Sequence, residues 1–257
     1  MKDSYGSFGA QATQYSAARQ EFPKKIFAHL KERAGTRTRL LDIGCGTGIA
    51  SRQLAQYGFL VTGSDIDERM ISWARVNSPT NSIAYVVAPM RALPFPNHSF
   101  EIITAFSAFH WFCDDVSLGE IQRVLIRPGL LFIVNKNETG DMKSIIKRTL
   151  KNFSTDNQLP PDRKADYNPA SILAKNGFDD IQEYTVPIVE EYTIDQALNC
   201  AQSMSIWNLV QLQKRDEAIT ALRETFLSYA EDKLVKRPLT VKAVSGYSMA
   251  HRGAMAA

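Results

Sequence analysis

The 257-residue sequence has few of the residues that build disulfide frameworks or metal centres. It contains three cysteines, an odd number without any CxxC spacing, which excludes a disulfide framework and a cysteine-rich zinc site. The four histidines show neither HxxxH nor HxH spacing: His29, His98, His110 and His251. We therefore expect reduced thiols and no metal site.

Long apolar runs and a concentrated excess of one charge are also missing. No run approaches the roughly 18 apolar residues of a membrane helix, and the start MKDSYGSFGAQATQ lacks the apolar stretch of a signal peptide. The net charge is +3 with both signs interspersed, so the basic stripe typical of nucleic-acid binding is not present. Neither a Gly-Lys-Ser/Thr loop nor a G-x-S-x-G elbow occurs. The sequence predicts a cytosolic protein without membrane association and gives no support to nucleic-acid binding.

Strands and helices alternate along the first half of the chain. Apolar segments predict seven strands: 39–43, 59–64, 83–87, 101–106, 130–134, 181–189 and 240–249. Helical spacing predicts two short helices within 3–34 separated at Pro23, and further helices at 49–58, 68–76 and 169–176. This alternation is typical of an α/β fold, here a doubly wound, mainly parallel seven-stranded sheet.

The second half adds an elaboration to this pattern. Residues 154–166 form a polar, proline-containing surface loop, and residues 194–234 have the apolar spacing of a helical insertion before the last strand. We expect one domain over 1–257, with the segments 1–36 (helices), 37–190 (α/β core), 191–236 (helical cap) and 237–257 (last strand).

A glycine loop follows the first strand. Gly44, Gly46 and Gly48 let the backbone pass close to a ligand, although a tight strand-to-helix turn would explain them too. Asp42, just before the loop, disfavours a pyrophosphate there, and a nicotinamide-dependent oxidoreductase would need a third glycine where Ile49 stands. Asp65 ends the second strand, where its carboxylate can accept hydrogen bonds from ribose hydroxyls. The pattern predicts a ligand with a ribose and no phosphate.

The segment Leu41–Gly48 closely resembles the first motif of class I S-adenosylmethionine-dependent methyltransferases. The resemblance continues through Asp65-Ile66, the Leu93–Glu101 stretch and the Arg123–Gly129 segment, and it spans about residues 37–135. It implies S-adenosylmethionine as cofactor and methyl transfer to a small molecule, as in methyltransferases of the trans-aconitate type.

The resemblance also assigns roles to residues. The glycine loop, with Cys45, packs beside the methionine part and Asp42 lies beneath it. Asp65 holds the ribose, and Ile66 packs on the adenine. Further cofactor contacts are expected from Met90, Arg91 and Ser107. Arg19 is the candidate partner of the cofactor carboxylate, with a solvated arginine as the alternative.

Two departures from the family pattern support a second hypothesis. Pro89 stands where an acidic residue commonly meets the adenine amino group, and Glu101 replaces the usual aspartate at the start of strand four. A structural role fits Glu101 better. The alternative function is therefore a binding or regulatory protein that keeps the cofactor but has lost the chemistry.

An aromatic cluster follows strand four, where ligands of open α/β sheets bind. His110 and Trp111 resemble a His-Trp pair of small-molecule methyltransferases, which implies an acceptor pocket with His110 as candidate base. Alternatively, His110 orders the loop and Trp111 fills the core. The Asn/Asp-Pro-Pro-Tyr/Phe tetrapeptide of base and glutamine methylation is missing, so O- or carboxyl-methylation is favoured.

Overall fold

A computed structural model describes residues 19–79, 83–154 and 167–249. The helix expected before Pro23 lies outside the described residues, as does the loop expected at 154–166 apart from Ser154. The helix expected after Pro23 is present at Lys24–Ala34.

Seven strands form one sheet in the order β3-β2-β1-β4-β5-β7-β6. The pairs β1–β2, β1–β4, β2–β3 and β4–β5 are parallel, so the doubly wound, mainly parallel fold expected from the sequence is confirmed. The strands are β1 (Arg39–Ile43), β2 (Leu60–Asp65), β3 (Ile83–Val87), β4 (Phe100–Phe106), β5 (Leu125–Glu138), β6 (Phe178–Tyr192) and β7 (Val235–Ser248).

The central strands are apolar because both of their faces are covered. Leu40 to Ile43 of β1 and Ile102 to Phe106 of β4 are all buried, and apart from Asp42 and Thr104 they are apolar, as is typical of a parallel sheet covered on both faces. β5 begins at Leu125 rather than at Leu130, because a bulge absorbs the Arg-Pro-Gly segment within the strand.

Eight α-helices are present in the described part of the chain. They are α1 (Lys24–Ala34), α2 (Ile49–Gln56), α3 (Glu68–Val76), α4 (Asp115–Val124), α5 (Met142–Lys151), α6 (Pro169–Lys175), α7 (Ile194–Gln202) and α8 (Arg215–Tyr229). α4 and α5 were not expected. Gly119 lies inside α4 and weakens its intrinsic helix signal. At the start of α4, the Ser117 backbone N–H donates to the Asp114 carboxylate, which caps the helix.

The described residues divide into two compact units. The cofactor-loop unit contains residues 21–79, 83–136, 167–186 and 241–249, and the helical unit contains residues 19–20, 137–154 and 187–240. The single-domain organisation expected from the sequence stays a prediction.

The helical unit has its own apolar core. Buried side chains of α5, α7 and α8 pack together there, among them Ile146, Leu198 and Phe226. α7 begins with a capping box in which Thr193 and Gln196 exchange hydrogen bonds. The helices expected within 194–234 are therefore confirmed.

The helical unit also buries a charged cluster. Arg237 Nε lies 2.8 Å from Glu138 Oε2, and its Nη1 lies 3.4 Å from Glu190 Oε2. The Tyr192 hydroxyl donates to Glu190 over 2.5 Å. Two carboxylates thus share one guanidinium in a largely buried region.

Candidate active site

The glycine loop Gly44–Gly48 connects β1 to α2, and all three glycines have positive φ: +64°, +53° and +75°. A Cβ on Gly44 would lie 2.6 Å from the Ala108 Cβ, and one on Gly48 would collide with Tyr85. These two glycines are therefore required by the chain's own packing. Gly46 differs, because a Cβ there would have no described heavy atom within 4 Å.

Asp65 fixes the open part of this loop. Its Oδ2 accepts from the Gly46 backbone N–H over 2.8 Å, and its Oδ1 accepts from the Asp67 N–H over 3.0 Å. Burial raises the pKa of Asp65, against the effect of these two bonds. A carboxylate has about four acceptor positions, so Asp65 can accept further bonds. Ile66 beside it is 70% exposed and offers an apolar surface.

Asp42 lies beneath the loop in the sheet. It is completely buried, and its carboxylate accepts from the Ser51 hydroxyl over 2.6 Å and from the Thr104 hydroxyl over 2.8 Å. Burial raises its pKa to about 6, although both hydroxyl bonds act in the opposite direction. The described contacts of Asp42 are thus structural ones.

Cys45 closes the loop against the neighbouring strand. Its backbone N–H donates to the Ser64 carbonyl over 3.0 Å, which extends the β1–β2 pairing into the loop. Burial raises the pKa of the Cys45 thiol. We therefore assign Cys45 a packing role rather than a nucleophilic one.

The segment after β3 lies beside Asp65. The Ala88 N–H donates to the Asp65 carbonyl over 2.9 Å, Pro89 is exposed, and Met90 packs against the core. The Arg91 guanidinium lies 3.4 Å from the Asp114 carboxylate. The backbone of this segment therefore follows the end of β2.

Glu101 has the structural role that the sequence suggested. Its Oε2 accepts from the backbone N–H groups of Thr38 and Arg39 over 3.0 and 2.9 Å. These two bonds, that of Arg39 first, hold the pKa of Glu101 below its usual value. Glu101 thus ties the start of β1 to β4. It therefore gives no support to the hypothesis of a binding protein that has lost the chemistry.

The carboxyl end of β4 carries the predicted acceptor residues. Ser107 has φ +56°, and its N–H donates to the Val134 carbonyl over 2.7 Å. The 3-10 turn Phe109–Trp111 follows, with the His110 ring 4.8 Å from that of Trp111. Phe109 is the residue of this turn that fills the core, whereas Trp111 is 52% exposed. The core-filling alternative for Trp111 is therefore wrong.

Two further polar residues lie at this end of the sheet and were missed in the sequence. The Tyr167 ring stands edge-on to the His110 ring at 6.1 Å, and its hydroxyl lies against the Asn135 carboxamide. A signal for Asn135 was available, because it interrupts β5 directly after the apolar run 130–134. Tyr167 carried no readable signal.

Arg19 belongs to the helical unit, where its guanidinium donates to the Ser203 carbonyl over 3.5 Å. Its role toward a cofactor carboxylate stays a prediction. Over 19–79, 83–154 and 167–249, no three His, Cys, Asp or Glu side chains are grouped as a metal ion would require. Helices in these same ranges are too short or too polar to cross a bilayer.

The strand order, the glycine loop and the acidic end of β2 are those of the class I methyltransferase fold. Residues 41–133 match the family model described as a methyltransferase domain, so the recognition made from the sequence is confirmed. A solved protein of Anaeromyxobacter dehalogenans, provisionally named a type II methyltransferase, has the same fold with a TM-score of 0.63. It is 22% identical, and the match covers 90% of this chain and 97% of that one.

Two other proteins show where the similarity lies. Malonyl-[acyl-carrier protein] O-methyltransferase of Erwinia pyrifoliae is 29% identical over 143 residues, which are 55% of this chain and 52% of that protein. Haemonchus contortus phosphoethanolamine N-methyltransferase 2, solved with phosphomonomethylethanolamine and S-adenosylhomocysteine, has a TM-score of 0.56 and is 18% identical, with 96% of this chain and 60% of that one covered. The matches cover only 52%, 34% and 53% of three of the curated relatives, whereas a Dictyostelium discoideum protein that is 22% identical is covered over 84% of its length.

Proposed function

We propose that this protein transfers a methyl group from S-adenosylmethionine to an oxygen of a small-molecule acceptor, a hydroxyl or a carboxylate. The observation that carries this proposal is Gly46. Gly46 has a positive φ, and a Cβ there would meet no described atom within 4 Å, whereas the Cβ positions of Gly44 and Gly48 are blocked by neighbouring protein atoms. This favours a loop shaped for a ligand rather than for a turn alone.

The residues of this loop fit such a cofactor. Asp65 would accept bonds from the ribose hydroxyls, and the exposed Ile66 would cover a face of the adenine. The backbone at Met90 and Arg91 would flank the adenine in place of the acidic contact that Pro89 lacks. Ser107 and the glycine loop would lie beside the methionine part, and Arg19 would pair with the carboxylate.

The chain's own residues supply positioning and proton handling. S-adenosylmethionine, when bound, supplies a methyl group on a sulfonium, with a neutral thioether as leaving group. Trp111 and His110 would hold the acceptor near attack distance and exclude water, which accounts for several kcal/mol of a barrier. For a hydroxyl acceptor, the His110 imidazole would take the proton as general base. A carboxylate acceptor needs no base.

The test compares two glycines that both have a positive φ. Gly35 and Gly46 have φ of +61° and +53°, and neither would-be Cβ has a described atom within 4 Å, but Gly35 caps α1 away from the loop. Gly35→Val and Gly46→Val should each lose stability, roughly 1–3 kcal/mol. Calorimetry should show that Gly46→Val alone loses S-adenosylmethionine and S-adenosylhomocysteine binding.

The wild-type protein should bind both of these compounds and not NAD. Equal cofactor affinity in wild type and Gly46→Val would leave Gly46 with only a turn role and would contradict the proposal. Cofactor binding without turnover on any hydroxyl or carboxylate acceptor would instead favour the regulatory alternative.

A further inference from the structure

Asn135 is a polar residue in the most apolar strand of the sheet. It follows five residues of β5 that are completely buried, Leu130 to Val134, and it is itself only 4% exposed. Burying a carboxamide without compensating hydrogen bonds costs about 1–3 kcal/mol. An apolar residue would satisfy the packing of β5 equally well, so the amide indicates a requirement other than packing.

The Asn135 carboxamide is only weakly satisfied by the protein. Among the described residues its one hydrogen-bonding partner is the Tyr167 hydroxyl, at 3.3 Å from Nδ2 and 3.5 Å from Oδ1. Both distances are longer than an ordinary hydrogen bond. A carboxamide has two N–H donors and two acceptor lone pairs, so most of this capacity is available to another molecule.

The pair lies where the acceptor is expected. Asn135 is near the carboxyl end of β5, three residues before Glu138, and it lies next to the end of β4, since the Ser107 N–H donates to the Val134 carbonyl. Tyr167 contacts Asn135 by its hydroxyl and His110 by its ring. Asn135, Tyr167 and His110 therefore form one continuous polar group, with Trp111 at its exposed side.

We propose that Asn135 and Tyr167 bind the acceptor and select an uncharged hydroxyl on a planar ring, a phenol or enol, for methylation beside His110. This inference rests on the proposed function and narrows its substrate class. The amide and the phenol can donate to and accept from a hydroxyl, and the aromatic rings of Trp111 and Tyr167 suit a planar skeleton.

The residues that form the group favour a hydroxyl over a carboxylate. The pair itself contributes an amide and a phenol, which carry no charge, and an anionic acceptor would bury its charge against them at a high cost. The Arg91 guanidinium near this end of the sheet is paired with Asp114. A site that hydrogen-bonds a substrate hydroxyl also discriminates strongly against analogues lacking it.

The test uses 2-naphthol and 2-naphthoate, which share a ring system and differ in hydroxyl against carboxylate. Each is titrated by fluorescence into the full chain in the presence of saturating S-adenosylhomocysteine. We expect 2-naphthol to bind the wild type at least about tenfold more tightly than 2-naphthoate. Tyr167→Phe and Asn135→Leu should each weaken 2-naphthol binding by about three- to tenfold, as loss of a neutral hydrogen bond predicts.

Tyr57→Phe is the matched control, because it removes another phenol hydroxyl of the same unit, one that donates to the Lys24 carbonyl. It should bind 2-naphthol like the wild type. S-adenosylhomocysteine affinity, measured for every variant, reports an intact cofactor loop. Tyr167→Phe carries the test alone if Asn135→Leu does not fold.

The outcomes separate the two proposals. If the wild type does not bind S-adenosylhomocysteine, the proposed function itself fails. If it binds S-adenosylhomocysteine but not 2-naphthol, or binds 2-naphthoate equally well, the selection of a neutral hydroxyl is overturned. Unchanged 2-naphthol affinity in Tyr167→Phe and Asn135→Leu would overturn the role of this pair.

Discussion

The two units of the chain bury acidic side chains in different ways. In the cofactor-loop unit, the described hydrogen-bond partners of Asp42 are two hydroxyls, from Ser51 and Thr104. In the helical unit, Glu138 and Glu190 lie against the Arg237 guanidinium. Neutral hydroxyl dipoles therefore stabilise the Asp42 carboxylate in one unit, and a cation stabilises the Glu138 and Glu190 carboxylates in the other.

This difference has physical consequences for each unit. A carboxylate held by hydroxyls alone keeps much of its burial penalty, which is why the pKa of Asp42 rises to about 6. A carboxylate paired with a buried cation is stabilised by the cation, but it becomes costly as soon as that cation is removed. Asp42 should therefore make the stability of the chain depend on pH. In the helical unit, substitution of the cation should lower the stability strongly.

The largest effect is expected in the helical unit. Arg237→Met keeps the length of the side chain but leaves two buried carboxylates without their cation, and should lower the free energy of unfolding by about 3–5 kcal/mol. Lys236→Met, which removes an exposed ion pair with Glu231, is the control and should cost at most about 1 kcal/mol. Urea unfolding at pH 7 measures both. A loss below 1 kcal/mol for Arg237→Met would contradict the pairing.

A smaller, pH-dependent effect is expected at Asp42. Its pKa is near 6 in the folded chain against about 4 in an unfolded one, so the folded protein binds more protons in this window. Stability should therefore fall as pH rises from about 4 to 6 and stay level above that, by roughly 3 kcal/mol in total.

Asp42→Asn removes this dependence, because the amide does not titrate. The difference in unfolding free energy between wild type and Asp42→Asn should thus change across pH 4 to 7, in favour of the variant at the higher pH. The exposed Asp115→Asn in the same unit serves as control and should show no such change. A constant difference between Asp42→Asn and wild type over this range would show that Asp42 has an ordinary pKa.

Local features of the molecule could be predicted from the sequence, and contacts between distant residues could not. β1, the glycine loop and Asp65 were predictable, because a buried strand, closely spaced glycines and an acid at the next strand end are local patterns. Arg237 and Glu138 are separated by 99 positions, and Asn135 and Tyr167 by 32. Contacts of this range are set by how the strands pair, which periodicity does not reveal.

Helices α4 and α5 were missed for a related reason. α4 has a cap at Asp114, but Gly119 inside it weakens its helix signal. α5 has no side-chain cap at Asp141, so its start is less clearly marked. Their apolar faces are stabilised by packing instead, as the burial of Ile121 in α4 and Ile146 in α5 shows.

The smallest loss of stability is expected when one hydroxyl is removed from each unit. Tyr192→Phe removes the hydroxyl that donates to Glu190, and Ser51→Ala removes one that donates to Asp42. Because Glu190 keeps Arg237 whereas Asp42 keeps only Thr104, Tyr192→Phe should cost about 1 kcal/mol and Ser51→Ala about 2 kcal/mol at pH 7.

The pH separates the two hydroxyls further. Below pH 5 Asp42 is protonated in most molecules, so the cost of Ser51→Ala should shrink toward that of a neutral hydrogen bond, about 1 kcal/mol. Urea unfolding of both variants at pH 4.5 and pH 7 measures this. If Tyr192→Phe costs as much as Ser51→Ala at pH 7, the phenol rather than the guanidinium holds Glu190, and the two units stabilise their buried acids by the same means.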